Sequence, residues 1–113
     1  MMWKCEEIRC LLKGVGHNIE EARDKIHKAY EMLEKSETLA AWHRDMAAKH
    51  LDFNEPAIPM IRKHIEEMRR EHKGREHEDA HIAMGKCDVY EEWLEQLLPR
   101  MAEVRAMIDR FGK

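Results

Sequence analysis

His77-Glu78-Asp79-Ala80-His81 is the stretch whose residue types and spacing come nearest to a catalytic arrangement. In an HExxH helix the two histidines, one turn apart, hold zinc, and the glutamate activates water. Three features oppose peptide hydrolysis here. The motif follows Gly74 closely, so it falls at the start of a helix and not inside one. Asp79 brings a charge to a position that such peptidases usually keep uncharged. Nothing in the chain reads as a sheet on which a peptide substrate could lie. Glu78 and Asp79 have a simpler use, because the positive end of a helix dipole favours carboxylates in the first turn.

A second constellation is scattered. Asp24, His27 and Glu31 lie on one predicted helix, and His43, Asp45 and His50 on the next. A fold-back near Ser36 brings the two groups to one height. A ferritin-like di-metal site needs Glu from two helices and Glu-x-x-His from two others. Asp24-x-x-His27 matches that only in part, and Arg100 and Arg105 bring cations to the same level. The leading expectation is therefore no cofactor and no catalytic residue, with His50 a hydrogen-bonded core histidine. The alternative is a metal-binding protein using His27, His43 and His50 with Asp24.

The remaining chemistry is that of recognition. Trp42, Trp93 and Val89, with Arg100 and Arg105, are the candidate contacts for a protein partner or a small anionic ligand. A guanidinium pairs with anions, and an indole stacks on flat or cationic groups. Cys5 and Cys87 fall on apolar seams, which suits buried structural thiols. Cys10 and Cys87 are expected at similar heights. The basic run around Arg62, Lys63, Arg69 and Arg70 is interleaved with Glu66, Glu67 and Glu71, which suits pairs such as Glu66 with Arg70 on a solvated face. With a net charge of −3, the chain lacks the clean basic stripe of a duplex binder.

These groups are carried by long helices. Cys5, Ile8, Leu12, Val15, Ile19, Ala22, Ile26, Ala29 and Leu33 follow one another in alternating steps of 3 and 4. Ala80, Ala83, Cys87, Tyr90, Leu94, Leu97, Met101, Val104, Ile108 and Phe111 do the same. A sustained 3.5-residue apolar repeat is a helix-packing seam. With 38% charged residues, 5 Gly and 3 Pro, composition also favours helices. Ser36 can cap one helix, and Gly74 can end another.

The fold predicted is all-α: one domain spanning 1–113, an antiparallel bundle of three helices over 3–35, 37–73 and 77–111. Each would be about 50 Å long. The middle helix has its stripe at Leu39, Trp42, Met46, His50, Phe53 and Ala57, then at Ile58, Ile61, Ile65 and Met68. Kinks are expected at Pro56/Pro59, at Gly14/Gly16 and at Pro99, all at similar height. Helix 1 has the further option of breaking at Gly14-Val15-Gly16, with Asn18 capping a new segment.

Three thin helices bury little on their own. Val89, Trp93, Met107, Trp3, Tyr30 and Trp42 lie off the seams, and a second apolar stripe on a charged helix calls for a partner. The expectation is a homo-oligomer, a dimer or higher, associating through Trp93 and Val89. No apolar run approaches a membrane span, and three cysteines without a CxxC suit a reduced, cytoplasmic protein.

The run Ala41-Trp42-His43-Arg44-Asp45-Met46-Ala47-Ala48-Lys49-His50-Leu51-Asp52-Phe53-Asn54 resembles the second helix of small ferritin-like helical proteins encoded in prophages of Gram-positive gut bacteria. Val104-Arg105-Ala106-Met107-Ile108-Asp109 is similar to their C-terminal end. The resemblance implies a helical bundle of phage origin, in the cytoplasm of a bacterial host, with no assigned activity. The ferritin-type carboxylate ligands are not at the matching places. It further implies a binding role, in virion assembly or in inhibiting a host defence.

Overall fold

The computed structural model describes residues 2–113, with side chains described from Lys4 onward; the Trp3 side chain lies outside them. Its elements are α1 (Met2–Met32), α2 (Glu37–Asp52), α3 (Ala57–His72) and α4 (Glu78–Arg110). They make three rods in a body 62 × 20 × 16 Å. Cross-links from Lys25 to Trp42, Asn18 to Asn54 and Lys4 to Glu71 descend α1 in order, so α2 and α3 form one antiparallel rod against it. Arg69–Asp88 and Arg105–Asp52 set α4 antiparallel to that rod. Glu20–Arg100 and Tyr30–Met107 set it parallel to α1.

Local chemistry sets the ends. Ser36 is extended, and its Oγ accepts from the Leu39 N–H at 3.2 Å, satisfying one orphan donor of α2. Gly74 takes φ +77°, the left-handed conformation that follows a helix C-terminus and that a Cβ would strain.

The expected single helix over 37–73 is interrupted at 53–56. Pro56 has no N–H to give the Asp52 carbonyl, which accepts instead from the Glu55 N–H at 3.2 Å. Asn54 likewise turns back to Leu51 at 2.9 Å. These tighter turns close α2, and α3 restarts at Ala57. Pro59 is then its third residue, where an N–H would have no helical partner anyway. Helix α1, by contrast, runs unbroken through Gly14 and Gly16, and α4 through Pro99. Asn18 therefore caps nothing.

The seams of α1 and α4 lie where their periodicity puts them, except at Leu33, which falls beyond the end of α1 in the turn and is 40% exposed. Ile8, Leu12, Val15, Ile19 and Ile26 meet Leu94, Leu97, Val104 and Ile108 in the core, all essentially without solvent contact. Each such side chain contributes about 1.5–3 kcal/mol of burial.

The register of α2 is different from the one expected. Its buried residues are Ala40, Ala47 and Leu51, followed by Asn54. Leu39, Trp42 and Phe53 face outward. Ala22 and Ala29 are likewise buried on α1, and the two helices pack closely, as small side chains allow. From Ile61 the stripe is inside as expected, with Ile65 and Met68 buried.

Candidate interaction surface

The HExxH histidine has a structural task. His77 is the N-cap of α4, and its Nδ1 accepts from the Ala80 N–H at 3.2 Å. Glu78 and Asp79 occupy the first turn, and His81 is exposed. One ring nitrogen is therefore committed to the backbone, at the helix end that the acids complement.

The residues of the metal alternative are not brought into a ligand set. Among the described residues no three His, Cys, Asp or Glu converge as a metal would require. Asp24 and His27 line an open groove with Arg23 and Lys28. His43 lies edge-on to Trp42, with ring centroids 4.9 Å apart. His50 Nδ1 lies 3.5 Å from Asn18 Oδ1, where the ring must be the donor, since an amide oxygen only accepts.

Asn18 in turn donates to Asn54 Oδ1 at 3.2 Å, and Asn54 donates to the Val15 carbonyl at 3.2 Å. Asn54 is buried, and its amide also lies 3.7 Å from Met101 Sδ. This polar chain ties the interruption of the middle rod to the centre of α1. It satisfies the one polar side chain the turn buries there.

The candidate arginines are engaged with carboxylates. Arg100 pairs with Glu20, and Arg105 with Asp52 at 2.9 Å and with Glu55 at 3.9 Å. Each clamps two rods, and they do not converge on a common ligand. Arg69 binds Glu91 and Asp88 across the α3–α4 groove, and these hydrogen bonds hold its pKa above the ordinary arginine value.

Trp93 packs half-buried against the core, whereas Val89 is exposed. Trp42 is exposed on α2, with the Lys25 ammonium 5.6 Å from its ring centroid. Trp42 is carried by α2, and Val89, Trp93, Arg100 and Arg105 by α4.

Cys87 is not poised for nucleophilic chemistry. Burial pushes the Cys87 thiol above its usual pKa, and its Sγ lies 3.9 Å from the Ile65 carbonyl. Cys5 is the thiol whose charge acts on both Cys87 and Tyr90. Burial first, and then the charge of a neighbouring Cys5, raise the Tyr90 pKa. Cys10 faces solvent.

What the elements do present together is apolar. Leu39 (49% exposed), the half-buried Met46, Phe53 (70%) and Met60 (45%) repeat every seven residues along the outside of the α2–α3 rod, with Trp42 (50%) beside them. Between the rod and α1 lies an open recess of about 290 Å³, bordered by Phe53 itself with Cys10, Leu11, Asn54 and Ala57, and reaching Gly14. A Cβ placed on Gly14 would meet nothing within 4 Å. Sequence reasoning found Leu39, Trp42, Met46 and Phe53 as a seam but placed it inside. Met60 was missed, and its seven-residue step from Phe53 was the signal.

No family model, no curated protein and no solved structure matches this chain.

Proposed function

We propose that this protein acts by binding and not by catalysis, as a helical oligomer assembled through its rod faces. The observation that carries this reading is the row of exposed Leu39, Phe53 and Met60 with half-buried Met46 between them, at seven-residue steps on a chain with 38% charged residues. A row of exposed large apolar side chains on so charged a chain suits a contact surface. The groups available for chemistry support the same reading: His77 caps a helix, Arg100 and Arg105 clamp rods, and Cys87 is buried. The likeness to prophage-encoded bundles adds a setting, virion assembly or the inhibition of a host defence, both of which work by binding.

Light scattering over a concentration series tests this. The expected mass is a multiple of 13.5 kDa. A mass of one chain at every concentration up to the millimolar range would overturn the oligomer. Elemental analysis of untagged protein checks the rival: near-stoichiometric iron, manganese or zinc would overturn the binding reading in favour of a metal protein.

A further inference from the structure

We infer that His64 is a proton-operated latch between α1 and α3, which tightens the contact of the two helices when its imidazole takes up a second proton. The His64 side chain is 16% exposed. Its Nε2 lies 3.4 Å from Glu7 Oε1 on α1, and its Nδ1 lies 4.0 Å from Glu67 Oε2, one turn along α3. Nδ1 has no solvent contact and no hydrogen bond. A neutral imidazole carries one N–H, so it can donate toward only one of the two carboxylates. Its other nitrogen then turns a lone pair toward the second. The charged ring carries two N–H groups, and each faces a carboxylate.

The neighbouring charges extend the same pattern. Lys4 of α1 lies 3.4 Å from Glu67 and also bonds Glu71. With the His64 ring charged, the row Glu7, His64, Glu67, Lys4, Glu71 alternates in sign from end to end, and it passes back and forth between α1 and α3. With the ring neutral, the alternation breaks at His64. The bond between Lys4 and Glu71 holds the Lys4 pKa above the ordinary lysine value and the Glu71 pKa below the ordinary carboxylate value. Both therefore stay charged throughout the range in which histidine titrates. His72, buried on α3, is the second histidine of this end and acts on the charge of Glu71. Helix α4 meets α3 on another side, where Arg62, Glu66 and Arg69 share a groove with Glu91 and Glu95.

The charged ring gains these partners only in the folded chain. The latch therefore adds stability below about pH 6.5, where histidine ordinarily takes its second proton. That stability is lost as pH rises past the point at which the folded ring releases the proton.

Urea melts of the parent, His64→Gln, Glu7→Gln and the double variant test this, since the cycle isolates the pair from His72 and the other histidines. At about pH 5.5 the coupling of His64 with Glu7 should shift the folding equilibrium about threefold, and at about pH 8 it should vanish. A second reading does not depend on melting. Followed by NMR of the folded proteins, the His64 ring should need about threefold more proton to become charged in Glu7→Gln than in the parent. A coupling equal at the two pH values, or larger at the higher one, would overturn the latch. So would a His64 titration that Glu7→Gln leaves in place.

Discussion

At the scale of single residues, Asn54 does most to define the middle of the molecule. It is the side chain that lets a buried turn exist, because its amide answers both Asn18 and the Val15 carbonyl. Truncating it leaves polar atoms buried without partners, which costs about 1–3 kcal/mol. We expect Asn54→Ala to lower stability by that amount in urea melts. A double-mutant cycle with Asn18→Ala should show coupling of about 0.5–1.5 kcal/mol; additivity would mean that the contact carries no energy. At the far end of the rod, hydrogen bonding to Lys4 lowers the Glu71 pKa, and the Glu71 bond raises that of Lys4. Glu71 therefore adds stability above the ordinary carboxylate pKa, lost as pH falls through its depressed folded value. Lys4 adds stability below the ordinary lysine pKa, lost as pH rises through its raised one. Glu71→Gln should flatten the acid limb of the stability curve; an acid limb unchanged by it would show that other carboxylates set that limb.

At the scale of elements, sequence and structure agree wherever the buried face is also the bulky one. The seams of α1 and α4 were legible because Ile8, Leu12, Ile19, Ile26, Leu94 and Ile108 are both large and inside. Pro56 and Pro59 were legible as a disturbance because they lack the donors a helix needs, but it was read as a kink in one helix and is a break between two. The inside of α2 was not legible, because its contact is made by Ala40 and Ala47, while larger side chains lie on the other face. Apolar weight pointed the wrong way around the helix. The outer face of this rod suffered from the same cause: Phe53 was placed in the core and is 70% exposed. The register is testable. Ala47→Leu should overpack the α1–α2 contact and cost about 1–3 kcal/mol. Ile26→Ala and Leu94→Ala should each cost about 2–5 kcal/mol. Gly14→Ala should stabilise the chain by about 0.5–1 kcal/mol, since the added methyl meets nothing. Melts in which Ala47→Leu matches the parent would put α2 in another rotation.

At the scale of the whole molecule, a body 62 Å long and only 20 × 16 Å across has a core one or two side chains thick. Such a shape gains from association, and the thermal midpoint should rise with protein concentration, as mass action requires when only the folded chain associates. A midpoint independent of concentration over two decades would mean that folding and assembly are not linked. No described helix is long and apolar enough to cross a membrane, so the exposed stripe on the α2–α3 rod is not a spanning segment.

The close alanine contact between α1 and α2 has a kinetic consequence. The two helices are neighbours in sequence, joined through the short connection at 33–36 that Ser36 closes, and they pack more extensively than any other pair. Closing so short a loop is fast, whereas bringing α4 alongside α1 must fix some eighty intervening residues, as the Glu20–Arg100 pair illustrates. The α1–α2 hairpin should therefore be the folding nucleus, with α4 settling onto it afterwards. In stopped-flow experiments Ala22→Gly and Ala47→Gly should slow refolding, with φ values above about 0.5, while Leu94→Ala should mainly hasten unfolding. The reverse pattern would place the first native contact between α3 and α4.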